Sequence, residues 1–95
     1  MEPRRGDWYR SKREPTKIRC IEYTEPPQAG FPGVEVGPLD PGTIFGPVHR
    51  VHYYKQFVCV QVPSLYSNTL VWVNVRNHRT DFATMFPKIE SGFLD

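Results

Sequence analysis

Two segments of the chain alternate strictly between apolar and polar or bulky positions. In 57–62 (F-V-C-V-Q-V), Val58, Val60 and Val62 fall on one parity and Phe57, Cys59 and Gln61 on the other. In 69–76 (T-L-V-W-V-N-V-R), Val71, Val73 and Val75 share one face, and Leu70, Trp72, Asn74 and Arg76 share the other. A period of two is the mark of a strand buried on one side. Pro63 and the polar stretch 64–68 between the segments join them as a hairpin. Stacked valine rows stabilise by about 1.5–3 kcal/mol per side chain before entropy is counted. This hairpin is therefore the predicted centre of the core.

The other patterns are shorter. Residues 17–24 (K-I-R-C-I-E-Y-T) predict a first strand, but Ile18 and Cys20 lie on one parity while Ile21 and Tyr23 lie on the other. Such a break predicts a bulge, or an element buried on both sides. Residues 25–42 hold five prolines and four glycines and predict a long loop with turns at F-P-G and D-P-G. Val34 and Val36 are expected to pin that loop to the body. Residues 43–52 read as a strand kinked at Gly46-Pro47, because proline is tolerated in strands only at an edge or a bend. Residues 53–56 form a turn, and 77–81 turn the chain again. Residues 82–89 predict a single helical turn and a short closing strand, with Asp81 as N-cap and Pro87 as the stop. Residues 1–15 show no sustained period and read as a tail, with the aromatic pair Trp8 and Tyr9 as the one part suited to fold back onto the domain. The expected organisation is a flexible basic tail over 1–15, one domain over 16–90, and a flexible end over 91–95.

The order strand, long loop, strand, hairpin, short turn, short strand resembles the Src-homology-3 family and its bacterial-type relatives across about residues 17–90. I-R-C-I-E-Y is similar to that family's opening strand, with Tyr23 at the position of a groove tyrosine. L-D-P-G-T-I-F resembles its diverging turn, F-A-T-M-F-P-K-I its single-turn helix region, and V-W-V-N-V its bacterial-type closing strand. The resemblance implies an all-β fold, a small five-stranded barrel with a long proline- and glycine-rich loop, and a role in binding. The sequence departs from the peptide-binding members at two points. Phe57 and Val58 stand where those members carry a tryptophan pair, and the long loop offers only Glu25, Glu35 and Asp40 as acids. An atypical interaction surface is the expectation these departures leave.

Composition narrows the picture. At 95 residues the chain makes one domain, and 39% hydrophobic with 23% charged residues fits a folded protein rather than a disordered one. Ten prolines argue against long helices. A net charge of +2 does not by itself imply nucleic acid, although Arg4, Arg5, Arg10, Lys12, Arg13, Lys17 and Arg19 crowd the start. Such a run is either a solvated tail or a loose anion-binding segment. Cys20 and Cys59 are too few for a disulfide framework. They read as buried free thiols, with one inter-strand disulfide as the alternative. No apolar run reaches the length of a membrane span and no signal-peptide core opens the chain, so the expectation is a cytoplasmic or other intracellular protein with no membrane role.

The candidate chemistry is thin. His49, His52, His78 and the two cysteines lack the paired short spacings of a zinc site, so no metal is expected. The cysteines sit in strand patterns where nothing activates a thiol, and no G-x-S-x-G, carboxylate pair or phosphate loop occurs. Neither catalysis, nor a cofactor, nor a small-molecule substrate is expected, and a monomer is the simplest state. Aromatic side chains are the remaining candidates. Tyr23, Tyr53, Tyr54, Trp72 and Phe86, with Arg76 on a basic rim beside Arg50, Lys55 and Arg79, suit recognition of a protein or peptide partner. For Trp72 a second small core is an equal reading. The alternatives are a small barrel binding single-stranded nucleic acid through the tail, Arg76 and Arg79, and a purely structural domain of a larger protein.

Overall fold

The computed structural model describes residues 2–12, 20–28, 33–77 and 81–85. Among them the chain is all-β, with eight strands and no helix: β1 (Tyr9–Ser11), β2 (Cys20–Tyr23), β3 (Glu35–Leu39), β4 (Ile44–Phe45), β5 (Arg50–Tyr54), β6 (Phe57–Pro63), β7 (Leu70–Arg76) and β8 (Ala83–Met85). They form two antiparallel sheets. One has five strands in the order β3-β2-β7-β6-β5, and the other three in the order β4-β1-β8.

The predicted hairpin is β6 and β7. Val60 pairs with Val73 and Val62 with Val71, and all six valines of the two rows are buried. A register shift between Val58 and Cys59 sets Val58 opposite Arg76 and Cys59 opposite Asn74. β5 joins β6 through a two-residue turn, Lys55 and Gln56, in which Lys55 takes a left-handed φ of 52°. The bulge expected in the first strand lies on its neighbour instead: Cys20 to Tyr23 alternate regularly in burial, and the register shift against β3 at Glu22 and Tyr23 leaves the extra residue, Val36, on β3. Residues 13–19, including Ile18, lie outside the described residues.

The long loop is partly a strand. Val36 packs against the core from β3, whereas the Val34 side chain is 58% exposed and only its carbonyl, accepting from Thr24 N–H at 2.9 Å, ties that end of the loop. At the cis Gly46-Pro47 peptide the chain leaves the small sheet, and by Arg50 it has entered the large one.

Two expectations are corrected. Residues 1–15 are not simply a tail, because β1 is the middle strand of the small sheet. Tyr9 is buried and stacks on Phe45 at 5.8 Å between centroids, and burial pushes its phenol well above the usual range. The segment is stitched in by backbone bonds: Gly6 N–H to Val48 O at 2.8 Å, Val48 N–H to Asp7 O at 2.9 Å, Ser11 N–H to Thr43 O at 2.9 Å and Lys12 N–H to Phe82 O at 3.0 Å. Pairing donors and acceptors at a buried position outweighs the lack of any apolar period there. The second correction concerns the helical turn expected at 82–89. Ala83, Thr84 and Met85 instead pair with Ser11, Arg10 and Tyr9. Pro87 and the rest of 86–95 lie outside the described residues.

One core serves both sheets. Tyr9, Phe45, Val48, Phe82 and Ala83 meet Cys20, Leu39 and the valines of β6 and β7 in a single cluster. Each sheet thus buries one face against the other, the usual way for a small all-β chain to remove apolar surface from water.

Candidate functional site

The five-stranded sheet has a second face, turned away from that cluster. Strand alternation decides which side chains it carries. Trp72 lies between the buried Val71 and Val73 and so projects to the opposite side. Tyr23 is its register partner on β2, and Gln61 its partner on β6. Arg50, His52 and Tyr54 share that side on β5, opposite Gln61, Cys59 and Phe57. Tyr23, Trp72, His52 and Tyr54 are all half-buried.

Contacts tie the row together. The His52 ring meets the Trp72 ring edge-on at 5.9 Å across β6. His52 Nε2 is shielded from solvent and has no hydrogen-bond partner among the described residues. Beside it the Cys59 thiol donates to Asn74 Oδ1 at 2.6 Å, and burial raises the thiol to about 12. Burial is also the first cause of the raised Tyr23 phenol, followed by the charge of Glu35 and by Cys59. Gly33, with φ of 87°, brings its backbone against the Tyr23 ring, where a Cβ would lie 3.4 Å from the ring edge. The ammonium of Lys55 sits 5.4 Å from the centre of the Tyr54 ring.

The expected site is therefore divided. Tyr23, Trp72 and Tyr54 share the outer face. Tyr53 follows the opposite parity to Tyr54, and its hydroxyl donates to Glu2 at 2.9 Å. Glu2 also holds Arg76 at 2.5 Å, and this pair lowers the carboxyl below its usual value, with the Arg76 bond first and the Tyr53 bond second. Tyr53 and Arg76 thus secure the N-terminal segment instead of lining the aromatic row. Phe86 lies outside the described residues, as do His78 and Arg79. Both cysteines are free thiols. Cys20 donates to Phe82 O at 3.1 Å within the core, and burial raises it to about 12. Among the described residues no three histidine, cysteine or carboxylate side chains gather as a metal site. No described helix is long and apolar enough to cross a membrane.

Two residues that matter here escape the sequence pattern. His52 stands out in the sequence only as a metal ligand, although its parity with Tyr54 puts it on the aromatic face. Glu22 stands in the middle of an apolar strand on the parity of Cys20, which points it to the buried side. It is 1% exposed and accepts from the Ser64 hydroxyl at 2.6 Å and from Leu65 N–H at 2.8 Å. It fastens the loop between β6 and β7, where Leu65 and Tyr66 are each 56% exposed. The Tyr66 ring lies over Gly37, and its hydroxyl donates to Pro38 O.

No family model, curated protein or solved structure matches the chain.

Proposed function

We propose that this domain is a protein-interaction module that receives a polypeptide partner on the outer face of the five-stranded sheet. The observation that carries the reading is the row of Tyr23, Trp72, His52 and Tyr54. These half-buried rings span β2 to β5 on the side the core does not use. Aromatic side chains bury large areas at low entropic expense, which is why they dominate the energetics of protein contacts. The Src-homology-3-like resemblance belongs to the same proposal. It is supported by the succession of β2, a proline-rich loop, a strand broken at Gly46-Pro47 and the β6–β7 hairpin. The nucleic-acid alternative relies on the basic N-terminal segment together with Arg76 and Arg79. Arg76 is engaged by Glu2, and no observation favours that reading.

Trp72→Ala tests the proposal. Polypeptides retained by the immobilised domain are lost from the variant, while its thermal midpoint stays within a few degrees of the parent. A drop equivalent to about 3–5 kcal/mol, the usual loss for an aromatic cut from a core, makes Trp72 a structural residue and removes the site.

A further inference from the structure

The two long edges of the five-stranded sheet differ. β3 is closed to further pairing. Pro38 carries no N–H, its carbonyl is taken by Tyr66, and a bulge interrupts the register. β5 pairs with β6 over five consecutive residues, Arg50 to Tyr54, without a shift and without a proline. Among the described residues nothing pairs on its other side. Antiparallel geometry across the two-residue turn makes Tyr54 and Phe57 the closing hydrogen-bonded pair, so the backbone groups of Arg50, His52 and Tyr54 bond to β6. The bond from His49 N–H to Gln61 O at 2.8 Å falls on the other parity and ends this alternation at Arg50. The N–H and C=O groups of Val51 and Tyr53 therefore point out along the open edge.

Charge along that edge is mainly basic, and among the described residues the one carboxylate placed against β5, Glu2 on the Tyr53 hydroxyl, is paired with Arg76. From Pro41 to Thr80 the sequence has no aspartate or glutamate. Arg50 and Lys55 are exposed at the two ends of β5, and among the described residues neither makes an ion pair. Arg50 shares the outer face with His52 and Tyr54.

We propose that β5 accepts an extended, acidic peptide segment as an added strand. Its backbone pairs with Val51 and Tyr53, and its carboxylates lie beside Arg50 and Lys55. An open strand edge demands backbone donors and acceptors at a regular spacing, which a polypeptide supplies and a nucleic acid does not. This inference rests on the reading of the outer face, since alternate side chains of the added strand would lie beside His52 and Tyr54, the β5 end of the aromatic row.

The test uses the whole chain and a fluorescent peptide of alternating Thr-Glu-Val-Glu sequence. The comparison probes are a counterpart with lysine in place of glutamate, two versions N-methylated on alternate backbone nitrogens, and a single-stranded oligothymidine. The acidic peptide binds and the lysine peptide does not. One N-methylated version keeps its affinity while the other loses it. Amide exchange slows at Val51 and Tyr53, and the double variant R50E/K55E weakens binding by about tenfold, as expected for two exposed charge contacts turned repulsive. Several results overturn the inference: equal binding of the lysine peptide, stronger binding of oligothymidine, or a dimer with protected Val51 and Tyr53 amides in the absence of peptide. Equal binding by both N-methylated versions also overturns it but leaves the face reading intact, because the peptide then docks without pairing. Edge binding that survives Trp72→Ala unchanged separates the two ideas the other way: the edge stands and the face reading falls.

Discussion

Glu22→Gln removes one charge and no volume, and the hydrogen bonds around the side chain decide its effect on stability. Ser64 Oγ accepts from Tyr66 N–H at 2.9 Å and from Ser67 N–H at 3.0 Å. Its lone pairs are used, so the hydroxyl must give its own proton to Glu22, 2.6 Å away. Leu65 N–H is a donor by nature. Both partners of the carboxylate therefore donate, and neither has room to accept. A glutamine offers one carbonyl oxygen to these two donors and turns its own NH2 toward one of them. A bond to a charged acceptor contributes about 1.5–3 kcal/mol, and a buried donor left unpaired costs about 1–3 kcal/mol. Against this stands the desolvation of the carboxylate, which the neutral side chain escapes. Because both donors are lined up on the carboxylate at the 1% exposed position, the lost pairing should win. The expected loss is about 2 kcal/mol, which for a domain of this size lowers the thermal midpoint by roughly 10 °C. Urea denaturation gives the free energy, and amide exchange at Leu65 reports the loop itself. Ser64→Ala should be strongly non-additive with Glu22→Gln, since both act on one network. A glutamine variant as stable as the parent, with Leu65 still protected, would refute the reasoning and show that desolvation outweighs the two bonds.

Two more substitutions and one titration probe the rest of the fold. Gly46 has φ of 145°, and a Cβ there would stand 2.9 Å from Asp7 O and 3.0 Å from the Trp8 ring, so Gly46→Ala should cost about 2–3 kcal/mol in denaturant melts. Gly6 has φ of 92° with open space around it, so Gly6→Ala should cost only the backbone share, about 1 kcal/mol. Equal losses at the two positions would mean that the contact between residues 7–8 and Gly46 does not matter. Cys20 and Cys59 keep their protons in the folded state up to about 12 against an ordinary thiol value of 9.0. The unfolded chain therefore releases protons first as pH rises, and stability, full below pH 9, falls between about 9 and 12 by up to ~1.4 kcal/mol per pH unit for each thiol. Cys20→Ala/Cys59→Ala should flatten that slope in alkaline melts, and an unchanged slope would show that other groups set it.

What the sequence revealed depended on how many residues repeated a signal. The β6–β7 hairpin was legible because six valines at a spacing of two leave one face no other environment than the core. The bulge beside β2 was not legible, since Cys20 and Ile21 alternate as in a regular strand and the extra residue, Val36, stands on β3. β1 and β8 were not legible. Each has three residues, too few for a period, and each is held by a partner distant in sequence, as in the pairing of Tyr9 with both Phe45 and Met85. β3 was hidden by Gly37 and Pro38, which read as loop. Pro38 is tolerated there because β3 is an edge. The candidate site was legible in residue type and only partly in place. Tyr53 and Tyr54 group as neighbours in sequence, yet consecutive residues of a strand face opposite ways. That parity alone separates the tyrosine bonded to Glu2 from the one on the aromatic face.

The N-terminal segment changes how binding experiments on this chain must be designed. Read as a basic tail, residues 1–15 invite deletion as a test of whether their charges recruit a partner. In the structure that deletion takes out the middle strand of the small sheet, and β4 and β8 have no strand between them. It also removes Tyr9 from the core and unseats Ser11, whose hydroxyl donates to Asp40 O at 2.5 Å and accepts from Thr43 N–H at 3.0 Å. Loss of binding after such a truncation would follow from loss of structure and would say nothing about charge. The charges can be tested without the strand. Arg4, Arg5, Arg10 and Lys12 are all exposed, and neutralising them leaves Tyr9 and Ser11 in place. Glu2 must stay, because its carboxylate joins Tyr53 to Arg76 and so fixes the start of the segment beside the end of β7. Only a change in binding that accompanies the charges, with β1 retained, would assign a partner to this part of the chain.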